Sequence, residues 1–308
     1  MTDFPTSRPA FERRLPDEAA CAEWLLERRW GSGFACPGCG HDGYRRPGRK
    51  ALTLQCKACR RETSATAGTV MHRSHLPSKV WFTAAWLVAT HRNGMSARQP
   101  WLQLGLGSHR SARPLPRKLR AAMVDPDRGP LAGLAEVGET GLPFRGEGEP
   151  VRPGRSHEGR PLIAGAVEIR GKGPGRTRLA VIGGYSAVAL GAFVAGNVAD
   201  GSTVVGGRRL AGPQGAQGRR ARPAGGRRRA GPPGAALGAP GVREREAAGP
   251  LGVYHGLREE RLQAHLDEFV FRFNRRRPPQ AAFARLLGLA VSIGPHPYDA
   301  LVASGSKG

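Results

Sequence analysis

Cys36-Pro37-Gly38-Cys39 and Cys56-Lys57-Ala58-Cys59, with sixteen residues between them, decide how the first part of this chain is read. Two Cys-x-x-Cys pairs at this separation can bring four thiolates to the corners of one tetrahedron, the geometry a structural zinc ion takes. Two disulfides or four unrelated core thiols are the competing readings, and the paired spacing favours zinc. Gly38 and Gly40 are expected to supply the tight turns that aim the sulfurs at the metal, and Tyr44 to Leu54 is the right length for a short hairpin. The stretch reads as a zinc ribbon held by Cys36, Cys39, Cys56 and Cys59. Cys21, the fifth cysteine, lies on a predicted helix and reads as a small buried hydrophobe.

The chain around it has 308 residues, enough for two or three small domains. Its 48 Lys and Arg against 24 Asp and Glu give a net charge of +24, which points to a polyanionic partner. Nucleic acid leads. An anionic membrane surface is the alternative, but the basic residues are spread along the chain and not gathered beside an apolar helix. Residues 206–250, made almost entirely of Gly, Ala, Pro and Arg, carry a net +8; setting them aside still leaves +16. The N-terminus has no apolar core of a signal peptide, and metal-holding thiols suit a reducing compartment, so a cytoplasmic, DNA-associated protein is expected. Leu179–Ala199 is 21 residues without a charge, long enough to span a bilayer. Its glycines and Asn197 favour a short strand followed by a Ser186–Ala195 helix instead.

In chain order, residues 16–29 read as an amphipathic helix opened by Pro16, Asp17 and Glu18 and ended by Gly31 and Gly33. After the ribbon, His72 and His75 read as surface or packing histidines, because four cysteines already close a zinc shell. Lys79–Asn93 has helical spacing. Met95–Leu104, a Gly105–Ser108 turn and His109–Met123 have the layout of a helix-turn-helix, although two packed core helices give the same periodicity. Arg110, Arg117, Lys118 and Arg120 provide its basic setting. Pro114 and Pro116 are expected to break the second helix, at about 3 kcal/mol each in a helix interior. Beyond Pro130 come short apolar strands at Leu134–Val137, Leu162–Ile169, Leu179–Ile182 and Thr203–Val205, which suit an α/β domain. Residues 206–250 lack apolar periodicity and read as disordered low complexity. Leu262, Leu266, Phe269, Val270 and Phe273 then form a helical stripe whose basic end, with Arg275 and Arg276, is expected to contact phosphates.

These residues together resemble a known family. The ribbon, Ala67-Gly68-Thr69, Trp81-Phe82, Gly105-Leu106-Gly107-Ser108, Lys118-Leu119-Arg120, Glu136-Val137-Gly138-Glu139-Thr140, Ala164–Glu168, Tyr254-His255-Gly256 and Leu266–Arg276 look like the ISXO-like insertion-sequence transposases. The resemblance covers about residues 20–205 and 251–290. It implies a multidomain α+β chain: an N-terminal arm and helix (1–30), the zinc ribbon (31–75), a helix-turn-helix-like DNA-binding region (76–125), a ribonuclease-H-like domain of the DDE superfamily (130–292), and a tail (293–308). It also implies cleavage and strand transfer of DNA at element ends with magnesium or manganese, and a possible homo-oligomer. The departures bear on activity. Gly138 stands where the family has its first metal-binding Asp, and Glu139 points to the opposite face by strand alternation. The second carboxylate, near Gly207, and the third position, near Ala239, are not recognisable, so no catalytic residue is intact and enzyme activity is left open. The alternative is a zinc-ribbon DNA-binding protein that regulates transposition without catalysis.

The missing motifs point to the genetic code. Moving each codon forward by one base lets Ala235–Glu244 become Leu-Pro-Trp-Val-His-Arg-Val-Phe-Ala-Asn, the family's absent motif, and lets Gly207-Arg208 become Asp-Gly. Residues 206–250 are therefore expected to be read out of frame between two compensating indels.

Overall fold

The computed structural model describes residues 5–91, 102–106, 114–141, 161–171, 173–206, 220–223, 261–276 and 280–295. They fall into two compact units, one of residues 1–125 with 275–303 and one of residues 126–274 with 304–308.

The first unit is built on helices α1 (Arg8–Arg14), α2 (Glu18–Trp30), α3 (Ser78–Thr90) and α4 (Pro114–Ala121). Side chains close the helix starts. Ser7 and Asp17 accept hydrogen bonds from the Ala10 and Ala20 amides, as residues before a first turn do. Helix α3 has Pro77 before it, which offers no side-chain oxygen. Its first amides, Ser78 and Lys79, donate instead to the two carboxylate oxygens of Glu18 at 2.8 Å each, so α2 caps α3. Helix α3 is buried almost all round, with Trp81, Phe82, Ala84, Ala85, Trp86, Leu87, Val88 and Ala89 in the core. Cys21 is fully buried as expected, and burial pushes its thiol up to about 12.

The break expected at Pro114 and Pro116 does not occur. Helix α4 begins at Pro114, so both prolines lie in its first turn, where backbone amides have no intrahelical acceptor and the missing N–H costs nothing. The two upstream residue sets expected to complete a helix-turn-helix lie mostly outside the described residues.

A second correction concerns the C-terminal end. Helix α7 (Gln280–Ser292), assigned from sequence to the domain at 130–292, packs against α2 and α3 in the first unit. Phe283 stands edge-on to Phe11 and Trp86 at centroid distances of 5.5 and 5.3 Å, and Phe11 stacks on Trp86 at 5.2 Å. The Val70 amide donates to the Ala290 carbonyl. A helix made of apolar residues can join whichever core has room for it, and the sequence does not say which.

The second unit holds a five-stranded sheet of β4 (Leu134–Gly141), β5 (Leu162–Arg170), β6 (Gly173–Ile182), β7 (Thr203–Gly206) and β8 (Arg220–Pro223), in the order β6-β5-β4-β7-β8. The first three strands are antiparallel neighbours, and β7 and β8 run parallel to β4. Helix α5 (Ala187–Asn197), capped by Ser186, packs Leu190, Phe193 and Val194 on one sheet face with Ala135, Val137, Ala164, Ala166 and Val204. Helix α6 (Leu262–Asn274) packs Leu262 and Leu266 on the other, with Ile163, Leu179 and Val181. On α6, Phe271 and Glu268 are buried where Phe269 and Phe273 were expected, and Glu268 lies 3.5 Å from Arg272. Strand β8 corrects the expectation of disorder for 206–250 at four positions. Its pairing with β7 depends on backbone groups and needs no apolar side chains. The other residues of 207–250 lie outside the described set.

Candidate metal centre and cationic surface

The ribbon is a three-stranded antiparallel sheet of β1 (Tyr44–Arg45), β2 (Thr53–Cys56) and β3 (Glu62–Ser64). Its two cysteine turns are built alike. In the first, the Gly40 amide donates to the Cys36 carbonyl and the Cys36 amide to the His41 carbonyl; in the second, Arg60 donates to Cys56 and Cys56 to Arg61, at the same offsets. The residue after each second cysteine takes a left-handed conformation, with φ of +74° at Gly40 and +61° at Arg60. Glycine adopts that conformation without cost, and arginine does so at about 1 kcal/mol. Gly38 was expected to share this role but does not have a positive φ. It is small for another reason: a Cβ there would come within 2.9 Å of the Arg61 side chain.

All four sulfurs lie within 4.8 Å of one another, with Cys36 and Cys59 at 3.5 Å and Cys39 and Cys56 at 3.6 Å. A zinc tetrahedron with metal–sulfur bonds of about 2.3 Å has edges of about 3.8 Å, so the set fits zinc closely. None of the cysteines is in a disulfide. The Gly38 amide points at the Cys36 sulfur and, with the Cys39 amide, brings that thiol down to about 6. At Cys59 the Arg61 amide acts in the same direction, but the crowding of Cys36, Cys39 and Cys56 outweighs it and pushes the thiol up to about 12. Four thiolates this close cannot all ionise without a cation among them, and a divalent ion supplies that charge. The donor set therefore fits structural zinc. His72 accepts from the Gly68 amide through Nδ1, and it does not belong to the cluster.

The positively charged residues expected to contact DNA are divided by the fold. Lys118 donates to the His72 carbonyl at 3.1 Å with its ammonium 5.9 Å from the Trp81 ring centre, and burial lowers its pKa. Arg120 is 7% exposed. Arg275 pairs with Asp125 at 3.3 Å. Arg117 is half-buried, Arg276 is exposed, and Arg110 lies outside the described residues. The exposed cations that sequence reading passed over lie on the ribbon: seven Lys and Arg between Tyr44 and Glu62, every one exposed. Aligning Cys36-Pro37-Gly38-Cys39-Gly40 with Cys56-Lys57-Ala58-Cys59-Arg60 would have singled out Lys57 and Arg60, because in each pair of matching positions the second turn carries a cation where the first carries none.

In the second unit, Gly138 is buried on the strand face covered by α6, opposite Gly165. Glu139, opposite Ala164, lies on the α5 face. Val137 pairs with Gly206, the residue before Gly207. The position near Ala239 lies outside the described residues. Among the described residues, the four cysteines are the one group of three or more His, Cys, Asp and Glu placed to hold a metal ion. No described helix is long and apolar enough to cross a membrane.

Residues 16–62 match the transposase zinc-ribbon domain family. The chain is similar to an uncharacterized protein in transposable element ISH50 of Halobacterium salinarum, 31% identical over 154 residues, which is 48% of this chain and 51% of that protein. The chain thus spans about half the length of the curated relative it matches. No solved structure is significantly similar to it. The chain therefore carries a transposase-type zinc ribbon whose four sulfurs stand at zinc spacing, and over about half its length it is similar to a protein of an insertion-sequence element.

Proposed function

We propose that the chain descends from a DNA transposase that cut and rejoined insertion-sequence ends, and that in this copy it binds DNA without cutting it. The observation that carries this reading is the pairing of Val137 with Gly206 on adjacent parallel strands. Each stands one residue before a position where the resembled family has a metal-binding Asp. A sheet of three antiparallel strands extended at β4 by two parallel ones, with helices on both faces, is compatible with a ribonuclease-H-like domain. Two magnesium or manganese ions acting on phosphodiesters need carboxylates from separate strands. Gly138 offers none, and the described residues of this unit contain no such cluster, so the ions do not fit and no catalytic step follows. Residues 206–250 are the out-of-frame remnant of the stretch that carried the other two positions.

Incubating the full chain with a duplex containing the ends of its own element, in magnesium and separately in manganese, tests this. Salt-sensitive binding without cleavage is expected, and Gly138→Asp alone should not restore cleavage. Metal-dependent cutting by the chain as given would overturn the reading.

A further inference from the structure

The cations of the ribbon are not equivalent. Arg46 pairs with Glu23, Lys50 pairs with Glu62 at 2.5 Å, and Arg45 is hydrogen-bonded to Gln55. Arg49, between β1 and β2, has no acidic partner among the described residues, and neither do Lys57, Arg60 and Arg61, all exposed and all on the second cysteine turn. Two of the three on the second turn also reach the segment of the first. The Arg61 side chain lies 2.9 Å from where a Cβ on Gly38 would be, and Lys57 lies 3.4 Å from the same point on Gly43. Three unpaired cations therefore cover the metal end of the ribbon.

We propose that Lys57, Arg60 and Arg61 form a contact surface for the phosphate backbone of double-stranded DNA. The proposal rests on the DNA-binding reading above and moves the contact from the helical region to the ribbon. Lys118, Arg120 and Arg275 are held in internal contacts, whereas these three are free to displace counterions from phosphates. Neutralising the metal centre does not use up the charge. Residues 31–63 hold seven Lys and Arg against Asp42 and Glu62, and a zinc ion with four thiolates adds two negative charges, which leaves the loaded ribbon net positive by three. Contacts of this kind position a protein on a duplex without reading its sequence.

The test compares the full chain with a triple variant, Lys57→Gln, Arg60→Asn and Arg61→Gln, Asn being chosen because it tolerates a left-handed backbone. Binding to two short duplexes of unrelated sequence is measured across a salt series, with zinc content determined on the same samples. The triple variant is expected to keep one zinc per chain and to lose about 2 to 3 from the slope of log K against log salt, equally on both duplexes. The paired double variant Arg46→Gln with Lys50→Gln should lose less. An unchanged slope in the triple variant with zinc retained overturns the proposal. An unchanged slope with zinc lost also overturns it and assigns the three cations to the metal. If the parent chain binds neither duplex, the DNA-binding reading itself fails, and this proposal with it.

Discussion

Asp125 and Arg275 form an ion pair at 3.3 Å although 150 positions separate them. The chain leaves its first unit at Asp125 and re-enters it at Arg275, so the pair sits where both ends of the intervening segment meet. Arg285 on α7 adds a bidentate contact to the same carboxylate, at 2.7 and 2.8 Å. Burial lowers the Arg275 pKa against the pull of Asp125. The first unit is thus discontinuous in sequence. A fragment ending at residue 125 lacks α7, and with it the partner that covers Phe11 and Trp86. Such a fragment should not unfold cooperatively, and joining residues 275–303 to it through a short linker should restore a cooperative transition. In the full chain, Phe283→Ala should cost about 3 to 5 kcal/mol. Thermal melts followed by circular dichroism decide the matter: a fragment of residues 1–125 that melts like the intact unit refutes it.

The metal centre gives the second prediction. One zinc should bind per chain, and its removal by a chelator, or Cys36→Ser, should unfold residues 31–63, because so small a ribbon has little core apart from its metal. Arg60→Gly should raise ribbon stability by about 0.5 to 1 kcal/mol by relieving the left-handed arginine, while removing one unit of salt dependence from DNA binding. A metal content near zero, or a Gly variant less stable than the parent, would count against this account.

What the sequence revealed follows from how local each feature is. The four cysteines, α3, α5, strands β5 and β7, the first half of β4 and the last four residues of β6 were legible because spacing and periodicity act over a few residues. The role of Glu18 as a cap on α3, the attachment of α7 to the first unit and the internal use of Lys118, Arg120 and Arg275 were not legible. Each depends on a partner far along the chain, and an arginine that will be buried looks the same in sequence as one that will reach a phosphate. Pro114 and Pro116 were misread for a simpler reason: a proline penalty changes sign with helix start, and the start lay at Pro114 itself.

A third prediction concerns Glu168, which is 2% exposed where β5 shifts register against β6. Burial alone would raise its pKa. The Arg176 guanidinium, with the amides of Ala132 and Arg176, outweighs burial and brings it down to about 2. A carboxyl whose pKa falls on folding stabilises the fold fully above its unfolded value of 4.5, and that stabilisation disappears as pH falls through about 2. Acid unfolding of the second unit should therefore steepen below pH 4.5. Glu168→Gln should flatten that dependence and, by leaving Arg176 without its partner, cost about 3 kcal/mol at neutral pH. Parallel acid titrations of the two proteins measure it, and identical curves would rule out this role.

The last prediction is read from the gene. If residues 206–250 lie between two compensating indels, the third bases of their codons are constrained by the frame one base forward. In that frame Gly207-Arg208 gives Asp-Gly only if the Gly207 codon is GGA and the Arg208 codon is CGG. Residues Leu237, Gly238 and Ala239 give Trp-Val-His only with G, T and A as their third bases. Glu246 gives Lys only if its codon is GAA, since GAG followed by the first base of Ala247 gives Arg. The restored Asp would follow Gly206 directly, beside the β4 strand whose Gly138 lacks the first carboxylate, so one repair would return a second metal ligand but not the first. Correcting the frame should therefore leave the protein unable to cut DNA until Gly138→Asp is added, and the two changes together should restore cleavage in magnesium or manganese. Sequencing the gene with its flanks decides the first part. Third bases that encode neither Asp near 207 nor Trp-Val-His at 237–239 in the shifted frame would end the hypothesis, and a frame-corrected Gly138→Asp chain that still cannot cut element ends would show that other lost positions matter as much.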